Sequence, residues 1–416
     1  MPAGTLARYI SACVFLMGAL SLIVPSGYSV GAALLLIASG CLLSRRIGFA
    51  PLGREDKWII AVMCLYGATV GVLSLIELGP RGFDRPSRFL LAVPVLLLIL
   101  RCPPRLSWLW SGLALGAIGS GSWALWQNLA LGQGRADGFI YVIQFGNLSM
   151  LLGVLCLAGL GWAFSQQGKA FWLLLLLGGA LLGMLGSLLS GSRGGWIGLP
   201  FIAFVLYRGY GQGLSFRIKS AAVCFALVLV TIMYVTPQTG VQQRVHMGIT
   251  DVTQYIGGGD RDTSLGLRFQ MWRGAGQLIS ERPLLGWGED GYVQAMQSLG
   301  ERGVISPAAT LFDHAHNEFI DATAKRGMVG LLLLLALYFV PIRLFAQGVS
   351  HPNYRVRSLA VAGTLLPVAY IDFGLSQTFL AHNSGAMFYA FWLAVWWGTF
   401  SAYRRRFIEA RTFSEP

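Results

Sequence analysis

The chain has 416 residues, of which 55% are hydrophobic and 12% are charged, and that charged share is about half of what soluble domains carry. This composition excludes a soluble enzyme and a disordered chain. The formal net charge is +13, from 31 Lys and Arg against 18 Asp and Glu, so the location of the positive charges decides whether they indicate an anionic partner or a membrane orientation.

Long apolar stretches run through most of the chain. A spanning helix needs about 20 mostly apolar residues, and about twelve stretches are candidates, some of them short. Continuous apolar runs indicate helices, because strands of a membrane barrel alternate apolar and polar residues. The sequence therefore predicts an all-α polytopic membrane protein with helices near residues 9–25, 29–44, 58–76, 87–101, 107–127, 143–164, 170–189, 195–208, 218–236, 328–347, 358–378 and 385–402.

The loops between these stretches differ in charge. Lys and Arg are most frequent in the loops that share a side with both termini, which predicts cytoplasmic termini and a long outer loop at 237–327. The positive charge is thus an orientation signal and predicts no nucleic-acid partner. We expect three parts: helices one to nine in 1–236, an outer loop with short helices in 237–327, and the last three helices with a short cytoplasmic tail in 328–416.

The first polar motif is the segment 190–196 (SGSRGGW), at the outer join of the seventh and eighth predicted helices. Glycines let the backbone turn and let a ligand approach closely, and Arg193 offers a planar fork of donors to phosphate oxygens. The alternative is an interfacial anchor, with Arg193 and Trp196 at the level of the lipid headgroups.

The second motif is a predicted amphipathic helix in the outer loop. It begins at Thr263 or Ser264, ends before Pro283, and places Arg268 beside an apolar face that includes Met271. A tight Gly-Trp-Gly turn follows at 286–288. Arg268 is either a ligand-binding residue that points towards the membrane or an ordinary solvated arginine.

The third motif is the segment 313–321 (DHAHNEFID), predicted as a short helix with Asp313 as its cap. A histidine has the ordinary pKa to take a proton from a hydroxyl near neutral pH, and His316 is placed to point inward. A capping and packing cluster is the structural alternative. A metal site at His314 and His316 is disfavoured, because on a helix their rings diverge by roughly 200°.

Charged residues at the membrane edge supply the remaining candidates. Asp372 lies inside the eleventh predicted helix, where a carboxylate costs about 2.5–3.5 kcal/mol, so it should face the bundle or an aqueous cavity. It pairs with an outer arginine, helps to bind the acceptor or has a structural role. Arg81, Arg85 and Arg88 cluster at the outer edge of the fourth helix and either bind an anionic lipid head or form a solvated face.

The motifs S-R-G-G-W, L-R-x-x-x-W, G-W-G and H-A-H-N-E-F occur in this order around one long outer loop. In this order and topology the chain resembles the bacterial O-antigen ligase family. The resemblance implies a GT-C-like fold in the bacterial inner membrane and an inverting, metal-independent transferase without a cofactor. It would move polysaccharide from undecaprenyl pyrophosphate to lipid A–core oligosaccharide at the periplasmic face.

The same resemblance implies roles for individual residues. Arg193 and Arg268 would bind the pyrophosphate and His316 would be the general base. The other candidates for substrate binding are His314, Asn317, Arg81, Arg85, Arg88 and Asp372. The partners would be the lipid-linked donor, the lipid A–core acceptor and membrane lipids. An O-antigen polymerase and a protein O-oligosaccharyltransferase of the same superfamily remain alternatives, and a lipid-linked saccharide transporter is an alternative of another class.

Overall fold

The computed structural model describes residues 3–43, 48–192, 194–236 and 241–412. Within these ranges the chain is helical and contains no strand. The helices are α1 (Ala3–Ala19), α2 (Gly27–Ser39), α3 (Arg54–Leu78), α4 (Pro80–Arg101), α5 (Leu106–Leu129), α6 (Val142–Phe164), α7 (Lys169–Leu189), α8 (Leu199–Leu206), α9 (Phe216–Val235), α10 (Val241–Ile256), α11 (Ser264–Glu281), α12 (Glu289–Glu301), α13 (Glu318–Ala346), α14 (Tyr354–Gly374) and α15 (Asn383–Thr412).

Several helices have the length and composition of membrane spans. Among the described residues, α3, α6, α7, α13 and α14 are long and apolar enough to cross a bilayer, and α1 and α2 are shorter apolar helices. Each apolar stretch predicted from the sequence overlaps a helix, although α1 already ends at Ala19 and α8 covers only Leu199–Leu206. Side chains such as Ile76, Leu129 and Leu174 are apolar and exposed, which suits a lipid environment. The protein is therefore a membrane protein. That about twelve of its helices span the membrane remains a prediction.

The bundle has one large apolar core. Helix α4 packs between α3 and α15, α6 packs against α7 and α14, and α5 packs against α1 and α7. Trp110, Trp392 and Trp396 are fully buried between them. Residues 241–327, predicted above as an outer loop and called the outer segment below, have a separate small core. In it, α11, α12 and the start of α13 pack together around Met271, Tyr292 and Met296.

The two ends of the bundle differ in their polar contacts. At one end, Arg404 pairs with Glu55 and Arg405 pairs with Asp56, near the start of α3 and the end of α15. At the other end, Arg88 Nη1 donates to the Asn383 carbonyl at 2.8 Å. Here α3 ends, α4 and α15 begin, and α12 packs on α3. The candidate residues gather at this end.

Helix α13 breaks at Gly327, whose φ of 61° is a left-handed value. A Cβ at this position would lie 2.1 Å from the Leu284 carbonyl oxygen, so only glycine fits. The break lets the first part of α13 turn from the outer segment into the apolar part, 328–346. The domain limits at 236 and 327 remain predictions, and the first of them adjoins residues 237–240, which lie outside the described ranges.

Candidate functional site

The histidine segment differs from its prediction. Residues 312–317 are not helical, and α13 begins only at Glu318, with Asn317 as its N-cap. Asn317 Oδ1 accepts from the backbone N–H groups of Phe319 and Ile320, both at 3.0 Å. The predicted Asp313 cap is wrong, because Asp313 Oδ1 instead contacts His314 Nδ1 at 2.6 Å. One asparagine satisfies two free N–H groups of the first turn, which fixes the helix start four residues later.

Three elements hold the histidine segment in place. Trp272 Nε1 on α11 donates to the Ala315 carbonyl at 2.9 Å. The Ala315 N–H donates to Asp321 Oδ1 on α13 at 3.0 Å. Asn317 Nδ2 donates to the Leu375 carbonyl, in the loop after α14, at 3.2 Å. Since these contacts come from separate parts of the chain, they position the rings of His314 and His316 without a helix.

His316 has a partner that the sequence did not predict. Its Nδ1 lies 2.7 Å from Gln377 Oε1, and Gln377 Nε2 lies 3.3 Å from His382 Nε2. An amide oxygen only accepts, so the hydrogen of His316 is on Nδ1 and its Nε2 carries a lone pair. The sequence analysis placed Gln377 inside the predicted helix 358–378, whereas α14 ends at Gly374 and Gln377 lies in the loop after it. The polar run 376–378 (SQT) at the end of an apolar stretch was the available signal.

The surroundings of His316 keep its ring neutral. Burial, and then the charges of His314 and Arg268, lower the pKa of His316 to about 4. Burial also lowers the pKa of His382 to about 4. At neutral pH, His316 is therefore an uncharged base with a free Nε2, although it is a weaker base than exposed imidazole. An anion bound nearby would raise its pKa, because negative charge favours the protonated ring.

The expected divergence of His314 and His316 is wrong. Their ring centroids lie 4.2 Å apart with 58° between the planes, because the segment is not helical. In the part of the chain that the structure describes, no group of three or more His, Cys, Asp and Glu side chains has the arrangement of a metal site. His314 Nε2 is buried and has no hydrogen-bond partner there.

Arg268 lies on α11, close enough to His316 to affect its pKa. Burial lowers the pKa of the Arg268 guanidinium itself. Within the described ranges no hydrogen bond or ion pair to Arg268 is observed. Since a partly buried guanidinium normally has partners for its donors, Arg268 is suited to bind an anion beside His316.

A cavity of about 580 Å³ opens at this end of the bundle. It lies between the end of α3, the starts of α4, α12 and α13, and the loop after α14. Its wall includes Arg81, Arg85, His314 and His382, whereas Arg268 and His316 lie outside the lining. The charged side chains that complete the wall are Glu289, Asp290, Asp313, Glu318, Asp321, Lys325 and Arg326.

The cations of this wall fall into two groups. Lys325 lies 2.8 Å from Glu289 and 3.2 Å from Asp321, and Arg326 lies 2.5 Å from Glu289. Arg81 and Arg85 form no ion pair with the residues that the structure describes. Arg88, predicted to act with them, is buried and donates to Asp84 Oδ2 and to the Asn383 carbonyl.

Two glycines of the segment 190–196 lie so close to other side chains that a side chain of their own would not fit. Arg193 itself lies outside the described residues. A Cβ at Gly194 would lie 1.9 Å from Ser376 Oγ, and one at Gly195 would lie 2.8 Å from Asn147 Oδ1. These glycines therefore bring the turn against α6 and the loop after α14.

Asp372 packs beneath the same turn. Its Oδ1 accepts from the Gly198 N–H at 2.7 Å, and its Oδ2 is buried without a partner among the described residues. A Cβ at Gly198 would lie 2.5 Å from the Asp372 side chain. The carboxylate thus faces the bundle, as expected for an acid in a membrane helix.

The Gly-Trp-Gly turn connects the outer segment to the bundle. Gly286 and Gly288 have φ values of 73° and 74°. The Trp287 and Gly288 N–H groups donate to the Ala324 and Lys325 carbonyls at 3.0 and 2.8 Å. At the start of α12, the Glu289 N–H donates to Glu77 Oε2 of α3 at 2.6 Å. This turn places Glu289 in the cavity wall.

Comparison with known proteins identifies the family. Residues 178–335, which contain all three outer motifs, match the family model described as O-antigen ligase. An uncharacterised protein of Haemophilus influenzae (strain ATCC 51907) is 31% identical over 377 residues, covering 88% of this chain and 92% of that protein. An O-antigen ligase of Escherichia coli K12 is 23% identical over 255 residues, covering 61% of this chain and 55% of that protein. The chain belongs to the O-antigen ligase family, whose members are glycosyltransferase-like membrane enzymes of glycan assembly.

Proposed function

We propose that this protein is an O-antigen ligase. It transfers polysaccharide from undecaprenyl pyrophosphate to lipid A–core oligosaccharide at the periplasmic face of the bacterial inner membrane, by inversion and without a metal. The observation that carries the proposal is the neutral His316, positioned by Gln377 and next to Arg268, in a chain that belongs to this family.

In the proposed reaction, the acceptor hydroxyl attacks the anomeric carbon of the donor. His316 Nε2 takes the hydroxyl proton, since Nδ1 already carries the hydrogen donated to Gln377. The bond from the anomeric carbon to the pyrophosphate oxygen breaks, and undecaprenyl pyrophosphate leaves with the electron pair. Attack from the side opposite the leaving group inverts the anomeric centre.

The leaving group needs positive charge, because negative charge develops on its bridging oxygen. Arg268 has free donors beside the base and is proposed to act with Arg193 as a clamp on the pyrophosphate. The unpaired Arg81 and Arg85 in the cavity wall would bind other anionic groups of the substrates. Bound pyrophosphate would raise the pKa of His316 and strengthen the base at the moment of reaction.

The test is reconstitution of the purified full chain with undecaprenyl-linked donor, without added metal. Lipid A–core, a second donor molecule and a pilin are compared as acceptors. Transfer to lipid A–core supports a ligase. Exclusive chain extension on the second donor would indicate a polymerase, and exclusive modification of the pilin would indicate a protein O-oligosaccharyltransferase; either outcome overturns the proposal.

The base is tested in the same assay with His316→Ala. Loss of a general base should lower the transfer rate about 10²- to 10⁴-fold. His246→Ala is the matched control, since His246 is exposed on α10 outside the site and its loss should leave the rate unchanged. Wild-type transfer by His316→Ala at equal protein level would refute the assignment.

A further inference from the structure

A second cavity, of about 310 Å³, lies beside the first. It shares Arg85, Ala381 and His382 with the larger cavity, so His382 stands between the two spaces. Through Gln377, His382 is also connected to His316. The volume is at the lower end of the range of about 300–1,000 Å³ for small-molecule pockets, which suits a single unit of a polymer.

Gln144 in the wall of this second cavity has no partner for its amide. The side chain is only 1% exposed, and both Nε2 and Oε1 are buried without a hydrogen-bond partner among the described residues. Buried amides are almost always hydrogen-bonded, because an unpaired polar atom away from water is unfavourable. An amide that lacks partners on both atoms and lines a cavity is placed to receive them from a ligand with a donor and an acceptor.

The remaining wall restricts the class of ligand. No carboxylate contributes to the described lining, and Arg85 is the only cation in it apart from His382, whose pKa is lowered to about 4. The wall thus offers no metal ligand set, and Gln144 disfavours a hydrocarbon chain. Tyr141 is 60% exposed, and its ring is nearly parallel to that of His382, at 6° with the centroids 6.3 Å apart.

We propose that the second cavity is a subsite for one pyranose unit of a saccharide substrate. The hydroxyl or acetamido groups of the sugar supply both partners of Gln144, and its C–H face packs on Tyr141. This inference rests on the proposed function and assigns a second part of the same site. The shared His382 places the bound unit beside the larger cavity, and Gln377 connects this boundary to His316.

Gln144→Leu separates binding from folding. Replacing an amide without partners by an apolar side chain of similar size should leave the melting temperature unchanged or raise it. The KM for one of the two saccharide substrates should rise about tenfold, whereas kcat changes little. A rise in the acceptor KM places the unit in lipid A–core, and a rise in the donor KM places it in the O-antigen. Unchanged KM values for both substrates would overturn the proposal.

Tyr141 provides an independent variant, since it is exposed and its loss should not affect folding. Tyr141→Ala should raise the same KM as Gln144→Leu, and Tyr141→Phe should retain wild-type values. Phe139→Ala is the matched control, because Phe139 is an exposed aromatic residue two positions away that lines neither cavity. An equal effect of Phe139→Ala would overturn the assignment.

A binding experiment tests the subsite even if no transfer occurs. The full-length protein in detergent is melted with core oligosaccharide released from lipid A and, separately, with O-antigen released from its lipid. One glycan should raise the melting temperature of the wild type but not of Gln144→Leu. If wild type shows this stabilisation but no transfer, the proposed function fails and the saccharide site stands. If neither glycan stabilises the wild type, the subsite is refuted.

Discussion

The side-chain amide of Gln377 decides which nitrogen of His316 accepts a proton. Its Oε1 faces His316 Nδ1 at 2.7 Å, while its Nε2 faces His382 Nε2 at 3.3 Å. Both contacts are satisfied when the amide donates to His382 and accepts from His316. Turning the amide over would put the hydrogen of His316 on Nε2, which would then be a donor and could not accept the proton of the acceptor hydroxyl. Gln377 is therefore a positioning residue, because it acts through His316.

Gln377→Glu should change the pH dependence of catalysis. A carboxylate beside His316 favours the protonated ring, so the pKa of His316 rises from about 4, by about one to three units for such a pair. The protonated ring is not a base. As the pH is lowered, kcat/KM of the variant should therefore begin to fall at a higher pH than kcat/KM of the wild type. The measurement is a kcat/KM profile between pH 4 and pH 8.

Two further variants complete that comparison. Gln377→Leu removes the preference for one tautomer and should lower kcat about fivefold, which corresponds to a net hydrogen bond of about 1 kcal/mol. Gln347→Glu adds the same charge after α13, at an exposed position outside the site, and should leave the profile unchanged. An unshifted profile in Gln377→Glu would contradict the role given to this residue.

At the scale of helices, the sequence analysis predicted the approximate positions of the bundle helices but misplaced some helix ends. The apolar stretches located the bundle helices, and Thr263 caps α11 as expected, with its Oγ1 accepting from the Gly266 N–H at 3.2 Å. The start of α13 was mistaken, because Asp313 and Asn317 are both capping residues and tertiary contacts decide between them. The partner of His316 was also unpredictable, since Gln377 is 61 positions away in the sequence.

The start of α13 gives a prediction about stability. Asn317→Ala removes the acceptor for two backbone N–H groups and should lower the free energy of unfolding by about 1 kcal/mol. Asp313→Ala should change it by less than about 0.5 kcal/mol, since this side chain is exposed and caps no helix. Thermal melting of the detergent-solubilised variants measures both. A larger loss of stability in Asp313→Ala than in Asn317→Ala would indicate that Asp313 caps the helix, as the sequence predicted.

At the scale of the whole molecule, polar contacts show that the C-terminal end of α15 and the larger cavity lie at opposite ends of the bundle. Glu55 and Asp56 in the first turn of α3 pair with Arg404 and Arg405, whereas Glu77 near its end contacts the start of α12. Helix α3 has 25 residues and is about 37 Å long, which exceeds the hydrocarbon thickness of about 30 Å. The excess of Lys and Arg near the termini then predicts that the cavity end is periplasmic.

Single cysteines introduced into a cysteine-free variant test this orientation. Ser298→Cys on α12 is exposed at the cavity end, and Gln167→Cys is exposed in the loop between α6 and α7, which the charge pattern places in the cytoplasm. A membrane-impermeant maleimide should label Ser298→Cys in cells with a permeabilised outer membrane. Gln167→Cys should react only after the inner membrane is broken, because the reagent cannot reach the cytoplasm before then. The reverse pattern of labelling would invert the topology and place the histidine segment on the side away from the proposed lipid A–core acceptor.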